Sequence, residues 1–211
     1  MMNNISYQKK TGILGGTFNP IHTGHLMLAE NALEYCKLDE VLIMPSGCSY
    51  FKDQNTVASV TDRISMARLA IEGNDKLVLS TVETERAGNS YTYETLDILC
   101  SQDSSTRYYY IIGADTLFSM ETWRNPGDIF SKCTVVCAKR EGFSDEKMTE
   151  QKKRLESMFG ADIILMDIPE VPISSSMIRK LMSDGYSCKY YIPDKVLEYI
   201  KEKGLYGFDR N

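Results

Sequence analysis

Both histidines of this 211-residue chain fall three positions apart, in the stretch Gly15-Gly16-Thr17-Phe18-Asn19-Pro20-Ile21-His22-Thr23-Gly24-His25. A short apolar run, residues 11–14, precedes it, and a helical pattern begins near Gly24. A strand, a glycine turn and a helix start make a cradle for phosphate, because backbone N–H groups there point at the anion. Gly15 and Gly16 let the backbone approach a ligand closely, which a side chain would prevent. His22 and His25 can share one side of the helix's first turn, and imidazoles beside backbone amides suit charge developing on a phosphoryl oxygen. A metal centre is the weaker reading, since no third ligand stands at a suitable spacing.

Other residues of similar chemistry are spread along the chain. Ile173-Ser174-Ser175-Ser176 leads into a helix carrying Arg179. Hydroxyls and amides at a helix start, with a guanidinium fork, bind phosphates, although alone they also describe a serine-capped helix with a solvated arginine. Asp115 follows a strand ending in Gly113, where a carboxylate can accept from sugar hydroxyls or cap a helix. Residues 46–60 lack periodicity and are long for a connection; they contain Lys52, a cation able to neutralise phosphate. Trp123, the single tryptophan, sits in the turn-rich run Trp123-Arg124-Asn125-Pro126-Gly127, either to stack on a ring or to fill the core.

The elements that must hold these residues alternate. Apolar runs at 11–14, 41–44, 77–79, 108–112, 134–137 and 163–166 predict strands, with residues 82–86 extending the third. Helices are expected from Gly24, from Thr61, after capping hydroxyls at Ser90 and Thr92, around Ile129, over residues 145–159, after Ser176 and after Pro193. This alternation predicts one α/β domain, a doubly wound parallel sheet spanning residues 1–211. Residues 1–9 are expected to be a flexible leader, and residues 170–211 a helical C-terminal part.

Hydrophobic residues at 43% and charged residues at 25% are ordinary globular values. The net charge of −5 and the lack of a basic stripe argue against nucleic acid as the partner, and against an RNA-binding module. No apolar run approaches the roughly 20 residues of a membrane span, and residues 1–10 are too polar for a signal peptide. The six cysteines, Cys36, Cys48, Cys100, Cys133, Cys137 and Cys188, are scattered, with no histidine near Cys133 and Cys137 to complete a zinc site. Buried, reduced thiols and a cytoplasmic protein are expected.

The eleven-residue pattern resembles the His-x-Gly-His nucleotidyltransferase signature, in the Gly-Gly-Thr-Phe form of the nicotinate mononucleotide adenylyltransferases. The resemblance extends along nearly the whole chain and implies a Rossmann-like nucleotidyltransferase fold. It implies ATP contacts at Gly15, Gly16, Thr17, Phe18, Gly24, His25, Gly113, Asp115, Ser175, Ser176 and Arg179. The block Glu83-x-x-Arg86, Ser90-Tyr91-Thr92 and Leu96 resembles the family's recognition block for the pyridine mononucleotide. The implied acceptor contacts are Gly16, Thr17, Phe18, Ser46, Tyr91, Thr92 and Trp123, with amides near Thr92 holding the nicotinate carboxylate.

The implied reaction moves the adenylyl group of ATP to nicotinate mononucleotide, giving deamido-NAD and pyrophosphate. His22, His25, Lys52 and Arg179 are its implied catalytic residues. Mg²⁺ is the implied cofactor, held by substrate phosphates and water with no protein ligand set, and the chain is allowed to form a homodimer. Two departures stand out: Asn19, where relatives commonly carry aspartate, and Ser49-Tyr50-Phe51-Lys52, where they often carry Pro-Pro-His-Lys. Nicotinamide mononucleotide, pantetheine phosphate and glycerol phosphate are the competing acceptors. A nucleotide-binding regulator without activity is the competing class.

Overall fold

A computed structural model describes residues 8–47, 57–86, 88–139, 142–169 and 171–208. Six strands, β1 (Lys9–Gly16), β2 (Glu40–Pro45), β3 (Leu77–Leu79), β4 (Thr106–Gly113), β5 (Cys133–Ala138) and β6 (Asp162–Met166), form a sheet in the order β3-β2-β1-β4-β5-β6. The pairs β1–β4, β4–β5 and β5–β6 are parallel. Ile13 lies opposite Tyr110, and Val136 opposite both Ile111 and Ile164. This is the doubly wound α/β order, in which the chain reverses its direction of growth at β1, the strand that ends in the glycine turn.

The helices are α1 (Thr23–Cys36), α2 (Val60–Ile71), α3 (Thr92–Gln102), α4 (Ala114–Ser119), α5 (Pro126–Lys132), α6 (Asp145–Phe159), α7 (Ser175–Ser183) and α8 (Asp194–Lys203). None of the described helices is long and apolar enough to cross a membrane. Strands bury both faces because helices cover them: Val135, Val136 and Cys137 of β5 are fully buried, as is Ile13 of β1. Gly12 shows how tight this contact is, since a Cβ there would meet Val41, Leu38 and Ile111 at 2.8, 2.9 and 3.0 Å.

Packing divides the chain into two compact units, one of residues 1–14, 29–42 and 90–170, the other of residues 15–28, 43–89 and 171–211. The first holds β4, β5 and β6 with α3 to α6. The second holds the glycine turn, α2, β3, α7 and α8.

Several local expectations change. β1 begins at Lys9, so Lys9 is strand and not leader. α2 starts at Val60, capped by Ser59, whose hydroxyl accepts from the Asp62 N–H. Residues 82–86 turn instead of extending β3: the Thr84 and Glu85 N–H groups both donate to the Thr81 carbonyl, and the Thr81 hydroxyl donates to Glu85 at 2.6 Å. At α3 no side chain caps the helix; Tyr91 is the N-cap, and its carbonyl accepts from the Thr95 N–H and hydroxyl. α4 was absent from the sequence-based expectation, being six residues long with a glycine at its N-cap.

The Cys133 and Cys137 thiols are buried, which pushes each up to about 12 and leaves them unreactive. Cys188 is buried too, whereas Cys36 and Cys100 are only half-buried, and Cys48 lies outside the described residues.

Candidate active site

His22 immediately precedes α1, and His25 occupies the third helical position. The His22 backbone N–H donates to His25 Nδ1 at 3.2 Å, while the His22 carbonyl accepts from the N–H groups of His25 and Leu26. The bond from the His22 N–H to the His25 ring is one half of a capping box, with histidine in the usual glutamate position. The two rings stack with centroids 3.6 Å apart and planes inclined by 27°. Phe18 meets the His25 ring edge-on at 4.9 Å. Because Nδ1 of His25 accepts, a neutral ring carries its proton on Nε2, which is thereby a donor. Gly24 permits the stack: a Cβ there would press on His22 Nδ1 and Cε1 at 3.1 and 3.2 Å.

His22 is only 4% exposed, and burial lowers its pKa from 6.5 to about 4. It is therefore neutral at pH 7, and acts as a packed dipole and not as a cation. The unfolded chain takes up this proton below pH 6.5 and the folded one does so only below about 4, so stability falls as pH drops through that window. The expected loss is about 2 kcal/mol between pH 7 and pH 5. Urea unfolding at the two pH values reads it, and a folded His22→Asn variant should show a loss smaller by that amount.

Side chains of α7 grip the turn. Ser174 caps the helix, its hydroxyl accepting from the Met177 N–H at 3.2 Å. Ser175 donates to the Pro20 carbonyl at 2.9 Å, and Arg179 donates to the Asn19 carbonyl at 2.8 Å and to the Ser176 hydroxyl at 3.5 Å. The two motifs, more than 150 positions apart in sequence, thus form one site in the second unit. Ser46 joins it through its N–H, bonded to the Gly16 carbonyl at 2.8 Å. Among the described residues, Ser46 Oγ and His22 Nδ1 are buried without a hydrogen-bond partner from the protein.

Two residues of this site had no sequence signal. Arg63 of α2 is buried and donates to the carbonyls of Thr17 at 2.9 Å, Gly47 at 3.3 Å and Ala58 at 3.3 Å. Tyr206, near the C-terminus, donates its hydroxyl to Asn19 Oδ1 at 2.7 Å, which also accepts from the Ala58 N–H at 2.9 Å. Asn19 is 3% exposed, so the residue that departs from the family's aspartate is a buried acceptor.

Of the residues assigned to the acceptor, the first unit carries Tyr91, Thr92 and Trp123, and the second carries Gly16, Thr17, Phe18 and Ser46. Tyr91 and Thr92 stand at the start of α3, whose first N–H groups favour an anion. Thr92 Oγ1 and Tyr110 Oη lie 3.4 Å apart. Trp123 is half-buried, with its ring edge-on to Tyr110 at 6.2 Å, and so is not simply core. Arg124 lies over the Tyr91 ring at 4.8 Å. Gly113 is the N-cap of α4, and Asp115, on the helix's first turn, is exposed. The carboxylate is therefore not the cap.

Lys52, with Ser49, Tyr50 and Phe51, lies outside the described residues. Among the described residues, no group of three or more His, Cys, Asp or Glu side chains converges as a metal site.

A glycine turn at the end of β1, paired histidines at a helix start and a serine–arginine helix are groups that suit a nucleotidyltransferase. Residues 13–181 match the Cytidylyltransferase-like family. A relative from Clostridium tetani, named "probable nicotinate-nucleotide adenylyltransferase", is 39% identical over 94% of this chain and 99% of its own. One of the same name from Halalkalibacterium halodurans is 38% identical over 94% of this chain and 91% of its own. The chain belongs to the Cytidylyltransferase-like family and, within it, to the nicotinate-nucleotide adenylyltransferases. The fold is shared with Plasmodium falciparum nicotinic acid mononucleotide adenylyltransferase complexed with NaAD, at a TM-score of 0.79 and 22% identity over 96% of this chain and 100% of that one.

Proposed function

We propose that the chain transfers the adenylyl group of ATP to nicotinate mononucleotide, releasing pyrophosphate and forming deamido-NAD. The observation that carries this is the fixed His25 ring: Nδ1 is held by the His22 N–H, so Nε2 is the donor at the helix start beside the glycine turn. The acceptor phosphate is a monoester, already anionic near neutral pH, so no general base is required. Its oxygen bonds to the α-phosphorus as the bond from that phosphorus to the pyrophosphate oxygen breaks. Catalysis then consists of positioning and of stabilising charge on the transferring group.

His25 would donate to the α-phosphate, His22 would support it as a neutral stacking partner, and Lys52 and Arg179 would face the leaving pyrophosphate. Gly15 to Phe18, Gly24, Ser175 and Ser176 would line the triphosphate, and Gly113 and Asp115 the adenosine. Mg²⁺ would be held by ATP oxygens and water and would neutralise charge on the phosphates. The protein would work in the cytoplasm, where its thiols stay reduced.

The choice of acid over amide rests on α3. A carboxylate gains from the N–H groups and dipole at the Tyr91–Thr92 helix start, where a neutral carboxamide gains less. Pyrophosphate release with ATP and Mg²⁺ tests both claims. kcat/KM for nicotinate mononucleotide should exceed that for nicotinamide mononucleotide by more than about tenfold. Preference for the amide would overturn the acceptor assignment, and no pyrophosphate from either would overturn the reaction.

A further inference from the structure

We infer that Arg63 is a positioning residue for adenylyl transfer, holding the peptide groups of the phosphate turn in the orientation that presents their N–H groups; this rests on the function proposed above. Arg63 stands in the first turn of α2, yet is only 2% exposed and is among the largest fully buried side chains. Burying a guanidinium is unfavourable unless its donors are met by acceptors. Three of its hydrogen bonds go to main-chain carbonyls: Nη1 to Thr17 at 2.9 Å, Nη2 to Gly47 at 3.3 Å and Nε to Ala58 at 3.3 Å.

The carbonyl of Thr17 belongs to the same peptide plane as the N–H of Phe18. In a trans peptide the two point in opposite directions, so fixing the oxygen fixes the hydrogen. Ser175 does the same at the Pro20 carbonyl and so for the N–H of Ile21, while Arg179 occupies the Asn19 carbonyl. Three carbonyls of the turn are thus engaged by side chains. A cradle for phosphate needs this, because one flipped peptide would aim an oxygen at the anion in place of an N–H.

Arg63 also supplies a permanent positive charge close to the turn. Burial pushes the phenol of Tyr206, which bonds Asn19, up, while Arg179 and Arg63 both pull it down. Lysine would retain the charge but not the three directed bonds, since an ammonium is a compact donor without the planar fork.

The test is Arg63→Lys, assayed with ATP, Mg²⁺ and nicotinate mononucleotide beside the wild type, with near-UV circular dichroism giving the folded fraction. kcat per folded molecule should fall about 30-fold while KM for ATP changes less than about threefold, because a displaced turn costs most where charge develops. An arginine with a merely structural role would lower Tm and leave kcat per folded molecule unchanged. A folded Arg63→Lys protein with kcat within about twofold of wild type overturns the inference. Should lysine prevent folding, Arg63→Gln refolded with trimethylamine oxide gives the same reading: loss of kcat supports the role, and wild-type turnover overturns it. A wild type that releases no pyrophosphate would instead overturn the function, a result distinct from one in which wild type and variant turn over alike.

Discussion

A folded His25→Ala protein turns over about 10²–10³-fold more slowly than wild type, the effect of removing one fixed donor to an oxyanion. The magnitude follows from preorganisation. His25 is held on three sides, by the His22 N–H at Nδ1, by the His22 ring at 3.6 Å and by the edge-on Phe18 ring at 4.9 Å. A donor so constrained need not reorganise during the reaction. The loss should appear in kcat more than in KM for ATP, because the bond strengthens as charge develops. His25→Gln separates this from folding: glutamine at the third helical position can still accept from the His22 N–H. It should therefore keep more stability than alanine while losing kcat as alanine does. Steady-state kinetics with urea unfolding reads both, and near-wild-type turnover in either folded variant would contradict the role.

The second large effect is at Phe18. Its ring is 2% exposed and fills the space where a Cβ on Gly16 would meet it at 2.9 Å. Phe18→Ala should cost about 3–5 kcal/mol in stability, as for other buried aromatic truncations. It should also lower kcat about tenfold by leaving one edge of the His25 ring unsupported. The backbone adds a sign that can be checked. Phe18 has φ of +49°, in the left-handed region that L-residues enter at about 1–2 kcal/mol. Phe18→Gly should therefore be more stable than Phe18→Ala by about 1 kcal/mol, the reverse of the usual order. Chemical denaturation of the three proteins measures this, and an alanine variant more stable than the glycine variant would show the turn to be relaxed.

What the sequence could reveal depended on how local the interaction is. The turn, the paired histidines and the serine–arginine helix are contiguous motifs, and their residue types state their chemistry. α6 was readable to the residue, Asp145–Phe159, because Ser144 caps it and Gly160 closes it in the left-handed conformation. Interactions with the main chain were not readable. Arg63 stands beside Ile64 in a helix whose Ile64, Ala67 and Ile71 share one face, and nothing in its residue type or spacing marks it as buried. Its known acceptors are carbonyls, which every residue has and no sequence pattern marks.

Tyr206 was hidden by distance, bonding to Asn19 across 187 positions. That bond also explains how Asn19 can stand where relatives commonly have aspartate. The side-chain oxygen accepts from Tyr206 and Ala58, a task an amide oxygen and a carboxylate oxygen can both perform. The turn at residues 82–86 was mistaken for strand because its closure depends on the Thr81 carbonyl and hydroxyl, a detail that β-propensity ignores.

The most direct measurement follows the α-phosphorus of ATP. With ATP labelled at that atom, Mg²⁺ and nicotinate mononucleotide, the label should move into a dinucleotide as unlabelled pyrophosphate is released in equal amount. The folded His25→Ala protein should do the same about 10²–10³-fold more slowly. Label recovered in AMP or ADP, or left in ATP, would contradict adenylyl transfer by this site.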